Sequence, residues 1–280
     1  MKRIICLLLI ILISATGCTS FFKVDENKVK DVSDKITDTL VNTVGQEKAE
    51  KQESHTIESA GKNTLSIISS IGNISIESHE ADNTIININI SSKAGSKEKA
   101  EEIIENYTYT INTDNNSIVA DTSFDNPLSG VNLTIDLIIY IPSNIKDVKV
   151  SSNVGDVHLS GVSGNIQLNN NVGEVMIDKS EGSYSVKVDV GEINIKDCIA
   201  VDNSEFKTNT GEIDISLSSI SDADSITAET GVGNINMSLN DNAGYRAVIK
   251  EFMKDEKIET KNDQHSNITL TTGVGEIDFK

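Results

Sequence analysis

The sequence has no tryptophan, only two prolines and three cysteines, and after residue 17 a single arginine, Arg246. Each shortage excludes something. With aromatic residues at 4% against 39 isoleucines, the core must be aliphatic. Few prolines beside 28 asparagines and 18 glycines describe many short extended segments joined by Gly/Asn turns, not a helical bundle. Basic residues are scarce: beyond residue 17 there are 22 against 43 acidic ones, a net charge of −21. Nucleic-acid binding needs a basic footprint to replace phosphate counterions, so no nucleic-acid partner is expected. The cysteines sort themselves. Cys6 lies in an apolar leader, Cys18 closes it, and Cys198 is left alone, so no intramolecular disulfide can form. Cys198, beside Ile199, reads as an inert core thiol and not as a nucleophile.

Catalytic signatures are missing too. His55, His79, His158 and His265 show no HExxH or other paired ligand spacing, and there is neither a GxSxG elbow nor a phosphate-binding glycine loop with its lysine. The expectation is a chain that is not an enzyme and holds no transition metal.

What is present begins with the leader MKRIICLLLIILISATGC: a basic start, the apolar run Ile4 to Ile13, then small residues before Cys18. This is the pattern of an export signal. Its end resembles a bacterial lipobox, with Ala15 standing where leucine is usual. The resemblance implies cleavage before Cys18 and a diacylglyceryl group on its sulfur, hence a chain lipid-anchored to the cell membrane on the extracytoplasmic face. An ordinary signal peptide with a chance thiol is the alternative.

Residues 18–60 read as a tether. Val29, Val32, Ile36, Leu40 and Val44 advance by three and four residues, which predicts a short spacer helix, and QEKAEKQESH (46–55) reads as solvated linker. From residue 61 to 280 the period becomes two, interrupted by a helix candidate over 97–106, KEKAEEIIEN, with Ile103 and Ile104 facing a sheet. Within this domain, 148–280 is a repeat core.

The repeat is a 12-residue unit: apolar, x, apolar, four residues, Gly, acidic or Asn, apolar, x, apolar. It occurs from Leu65 (LSIISSIGNISI), Val148, Ile166, Tyr184, Ser204, Ile226 and Ile268 (ITLTTGVGEIDF). In every copy glycine falls seven positions after the first residue: Gly72, Gly155, Gly173, Gly191, Gly211, Gly233 and Gly275. From Val148 the starts step by 18, 18, 20, 22 and 42 residues. The expected fold is all-β and β-solenoid-like: two short strands per period of 18–22 residues, stacked so that Ile and Val positions form interior columns about 4.8 Å apart per coil. The glycines serve as turn residues, and the longer steps are insertions at a turn.

These tandem Gly-acid-Ile-x-Ile units, the VNLTIDLIIYIPSN segment and the upstream short helix resemble the putative-adhesin, β-strand-repeat family of bacterial domains, also called toast-rack domains, over about residues 61–280. The resemblance implies a β-solenoid-like fold on exported or membrane-tethered proteins and supplies no catalytic residues.

One chemical constellation repeats: Asp156, Glu174, Glu192, Glu212 and Glu276 each follow the unit glycine, with Asn234 taking that place once. Stacked in register they form a column in which neighbours repel by roughly 0.9 kcal/mol in water. A solvated face that protects sheet edges is one reading. Calcium bridging between coils is the other, since hard cations take oxygen ligands. Three functions remain open: a noncatalytic surface module binding an envelope or host-surface partner, an envelope-stress sensing or regulatory lipoprotein, and a polysaccharide-processing enzyme on a β-helix. A lone arginine and the lack of tryptophan weigh against the last. Replacing Cys18 by alanine is expected to abolish fatty-acid labelling of the chain and to move it out of the membrane fraction; labelling that persists would place the lipid elsewhere.

Overall fold

The computed structural model describes residues 47–124, 132–240, 243–252, 254–262 and 265–280. The export leader, Cys18 and the spacer-helix residues lie outside the described residues. Among those described, no helix is long and apolar enough to cross a membrane.

The repeat units stack in parallel, coil on coil, and in register. Their first strands are β2 (Thr64–Ile71), β8 (Asp147–Val154), β10 (Ser163–Val172), β12 (Glu181–Val190), the later parts of β13 (Ile193–Thr210) and β14 (Ile213–Val232), and β18 (Ser266–Val274). Together they make one ladder, in which Ile166 stands between Val148 and Tyr184. The second strands make another: β3 (Ile74–His79), β9 (Val157–Ser160), β11 (Val175–Asp178), the starts of β13 and β14, β15 (Ile235–Leu239) and β19 (Ile277–Phe279). Here Val175 stands between Val157 and Ile193.

Insertions leave the stack intact. Ile226 pairs directly with Ile268 across the 42-residue step, and Leu65 pairs with Val148 across 83 residues of sequence. The long step holds β16 (Tyr245–Glu251), which lies parallel to β18 on its far side, and β17 (Lys257–Lys261), which closes that end as an antiparallel hairpin. The opposite end carries a coil with no unit motif. It consists of β6 (Ser117–Thr122), parallel to β2, and β7 (Asn132–Pro142), parallel to β3. Beyond it come β4 (Asn83–Ala94), antiparallel to β7, and β5 (Thr110–Thr113), antiparallel to β6. The single described helix, α1 (Lys97–Asn106), starts where the Ser96 side chain accepts a hydrogen bond from the Lys99 N–H, and it buries Ala100 and Ile104.

The interior is the aliphatic column set that the alternation requires. Ile166, Leu168, Val175, Ile177, Ile193, Ile213, Ile226, Ile235 and Ile268 are fully buried, each contributing about 1.5–3 kcal/mol relative to exposure. Ser204, the polar exception at the first place of a unit, is buried as well. Its hydroxyl accepts from the Tyr184 N–H at 3.3 Å, and its small volume sits opposite the fully buried Tyr184. The Tyr184 hydroxyl donates to the Ser180 and Ile199 carbonyls at 2.9 and 3.1 Å.

One reading of the sequence is corrected. Residues 47–58, inside the stretch read as linker, form strand β1 (Glu47–Glu58), antiparallel to β4 over twelve residues. The compact unit that holds the repeat therefore includes these residues and spans Glu47–Lys280. The charge that suggested solvation is the composition of an edge strand, where lysine and glutamate discourage pairing with further chains.

The unit glycines occupy one corner, between the first and second strand of each coil. At Gly173 φ is 138°, and an added Cβ would lie 2.1 Å from the Gly155 carbonyl oxygen; at Gly191 φ is 148° and the oxygen of Gly173 lies 2.0 Å away. No rotamer relieves a contact with backbone. Gly173→Ala is expected to cost roughly 3 kcal/mol or more in urea unfolding, by strain plus overpacking. Gly95→Ala, where nothing lies within 4 Å of the added carbon, should shift stability by less than about 0.5 kcal/mol.

Candidate functional site

The predicted carboxylate column exists and runs along the glycine corner. Each residue after the unit glycine passes its carbonyl to the neighbouring coil: Val157 N–H donates to Glu174 O, Val175 to Glu192 O, Ile193 to Glu212 O, Ile213 to Asn234 O and Ile235 to Glu276 O, at 2.9–3.0 Å. Asp156, Glu174, Glu192, Glu212, Asn234 and Glu276 therefore stand one coil apart. Asn73 continues the file beyond Asp156 through Asp156 N–H to Asn73 Oδ1 at 3.0 Å, and Asp136 follows through Asn73 N–H to Asp136 Oδ1 at 2.7 Å.

Several of these side chains are engaged by protein. Asp156 accepts the Glu174 N–H at 2.9 Å, Glu174 accepts the Asn194 amide at 2.6 Å, and Glu212 accepts the Asn236 amide at 2.7 Å. Asn236 also donates to Asp214 at 2.6 Å. Calcium bridging needs several carboxylates converging on one point. Among the described residues no three His, Cys, Asp or Glu side chains are grouped to hold a metal ion. The described contacts along the column run in single steps from one coil to the next.

Two further files flank the glycines, and the first of them was not anticipated. Immediately before each glycine stand Ile71, Val154, Val172, Val190, Thr210, Val232 and Val274, paired coil to coil in the parallel ladder. The five valines are 44–60% exposed. Strand alternation assigns them to the core side, yet the second strand begins only after the corner and leaves them half exposed. Over six steps the file is about 29 Å long. Its signal was in the sequence, as Val-Gly in five of the seven units; period-two reading sends such a residue inward. One place earlier runs an amide file, in which Asn171 donates to Asn153 at 3.1 Å and Asn209 to Asp189 at 3.1 Å.

Inside the corner, Asn170, Thr208, Thr230 and Thr272 donate to the carbonyls of Gly155, Gly191, Gly211 and Gly233 at 2.9–3.1 Å. These bonds fix the corner from within. The exposed files therefore sit on a backbone that side chains hold from within at four of the coils.

Other polar groups are structural in their contacts. Cys198 is fully buried, its Sγ directed at the Ile177 carbonyl at 3.4 Å, and burial pushes its thiol up, which suppresses the reactive thiolate. His55 Nε2 lies 2.7 Å from the Tyr109 hydroxyl, which in turn donates to Glu53, tying β1 to the segment before β5. On the outer face of the second ladder, His158 Nε2 stands 2.6 Å from Asp178 Oδ1 and Ser160 Oγ donates to Asp178 Oδ2 at 3.1 Å. The acid lies between the other two, so this is not a relay in which a histidine activates a serine.

Burial by itself would raise the Asp178 pKa. The hydrogen bonds from His158 and Ser160, with the charges of His158 and Lys179, outweigh it and hold the carboxyl below the ordinary 3.8. Stability from ionised Asp178 is thus complete above that ordinary value and lost as pH falls through its lower folded value. Asp178→Asn is expected to lower stability by about 1 kcal/mol at pH 7. In urea melts the gap to the parent should close progressively below pH 4; a gap constant down to pH 2 would show that the charge is not involved.

No family model and no curated protein matches this chain. Among solved structures it is similar to a putative cell adhesion protein from Clostridium sporogenes at 16% identity, covering 83% of this chain and 99% of that one with a TM-score of 0.37. It is similar also to a putative adhesin from Bacteroides fragilis at 13% identity, covering 82% and 97% with a TM-score of 0.41. A third similarity is to a putative adhesin from Parabacteroides distasonis at 12% identity, covering 81% and 97% with a TM-score of 0.32.

Proposed function

We propose that this chain is a noncatalytic surface module, lipid-anchored through Cys18 on the extracytoplasmic face, that presents its β-solenoid to another envelope or host-surface component. The observation that carries this reading is the glycine corner. Three side-chain files of different chemistry run there side by side, at a constant coil spacing, on backbone locked by hydrogen bonds. Such an array offers extended recognition; solenoids use repeated surfaces in this way. It does not offer a point where acid, base and nucleophile meet.

The neighbourhood of the polar clusters supports the noncatalytic part. The buried thiol is held protonated, and the His158 and His55 groups are spent on carboxylate and tyrosine contacts. The acidic composition supports a role in which adhesion to anionic surfaces is suppressed except where a partner fits. Intact cells expressing the full chain, treated with a membrane-impermeant crosslinker, are expected to yield a reproducible crosslinked envelope component. Failure to label the chain from outside would overturn the surface role, and depolymerisation of cell-wall polysaccharide by the purified chain would overturn the noncatalytic one. A captured signalling protein in place of a structural one would move the role to envelope-stress regulation.

A further inference from the structure

We propose that the glycine corner is a docking ridge for a basic amphipathic α-helix of about 20 residues, seated along the valine file. The inference deepens the surface-module reading and rests on it only for where such a partner would be met.

Spacing selects the shape of the partner. The exposed residues Val154, Val172, Val190, Val232 and Val274, with Ile71 and Thr210 in the same file, repeat once per coil, about 4.8 Å. An apolar stripe on a helix recurs on average every 3.5 residues, about 5.3 Å along the axis. The mismatch is about 0.5 Å per step, or roughly 3 Å over the whole file. An extended strand presents its same-face side chains about 6.7 Å apart and is out of step after two coils. A 29 Å ridge corresponds to a helix of about 20 residues.

Charge selects its chemistry. On the C-terminal side in sequence the valines are followed, past the glycine, by Asp156, Glu174, Glu192, Glu212 and Glu276; on the N-terminal side they are preceded by Asn153, Asn171, Asp189 and Asn209, and by Gly231 and Gly273 in the last two coils. A complementary helix places lysine or arginine along the side of its apolar stripe that meets the five acids, and mainly hydrogen-bonding residues along the other, where Asp189 is the one carboxylate. The same asymmetry opposes the competing occupants. Two copies of this chain would bring acid files together, and an anionic lipid surface would face carboxylates beside the only apolar part of the corner. Helix-on-surface recognition elsewhere reads such apolar anchors at helical spacing, with flanking charge setting orientation and rate.

The test uses the full chain in phosphatidylcholine nanodiscs and a 20-residue Leu/Lys amphipathic helical peptide bearing a benzophenone photocrosslinker in its apolar stripe, with crosslinked residues mapped by mass spectrometry. Crosslinks are expected within 153–156, 171–174, 189–192 and 231–234. A Leu/Glu peptide of the same pattern should give less than about a tenth of the yield. V172S/V190S/V232S should reduce the yield at least about tenfold, with the melting temperature lowered by only about a few degrees, as loss of half-buried side chains requires. E192Q/E276Q, at exposed side chains, should reduce it about threefold and weaken its salt dependence. Crosslinks on other faces, equal yields from the acidic peptide, or products formed only with lipid or with a second copy of the chain would each overturn the proposal. A finding that the chain is not exposed at the cell surface would overturn the surface role while leaving a mapped corner contact standing.

Discussion

From Gly155 onward each unit glycine rests against the carbonyl oxygen of the unit glycine one coil earlier, and the stack depends on that approach. The oxygen lies where a side chain would begin, 1.8–2.1 Å from the Cβ positions of Gly155, Gly173, Gly191, Gly211, Gly233 and Gly275. Only a hydrogen fits there, and the contact it makes is a weak C–H···O interaction. The approach lets backbone N–H and C=O groups on both sides of the corner bond to neighbouring coils without a break, as Gly173 to Val190 and Val175 to Glu192 do at 3.1 and 2.9 Å. A bulkier corner would separate the coils and leave buried peptide groups unpaired, at a cost no exterior contact offsets.

The consequences spread outward from the corner. Because the coils are held at one spacing, interior side chains meet their counterparts in columns, and some polar interior residues find partners across coils. The threonine and asparagine bonds to the glycine carbonyls are one case, and Ser204 beneath Tyr184 is another. Outside, the same spacing turns single residues into files. A carboxylate that would be one charge on a globular surface becomes a line of charge, and a half-covered valine becomes a ridge. Recognition at such a surface reads the period as well as the side chains.

The two ends of the stack show how a repeat is closed without hiding its edges completely. At one end β1, dense in lysine and glutamate, takes the outermost place beside β4, and α1 packs Ala100 and Ile104 beneath. At the other, β17 folds back on β16, and Glu251 accepts the Ile277 N–H at 2.8 Å. Charge on the outer strands disfavours further pairing, so length is limited by composition and not by loss of hydrogen-bonding capacity.

Much of this architecture was legible from spacing, because a glycine at a constant distance from alternating aliphatic residues leaves few other ways to bury them. The all-β solenoid, the register of the seven units, the buried Cys198 and the ordered file of acids all follow from that local pattern. What the sequence could not display is whatever depends on coverage. Strand β1 looked like linker because an edge strand is written in charged residues. The coil of β6 and β7 carries no unit glycine, and only its pairing with β2 and β3 reveals it. The valines before the glycines follow inward parity and yet face solvent, because exposure is decided by where the opposing strand begins. Periodicity states which side of its own strand a residue occupies; only the placement of the next strand determines what, if anything, lies against it.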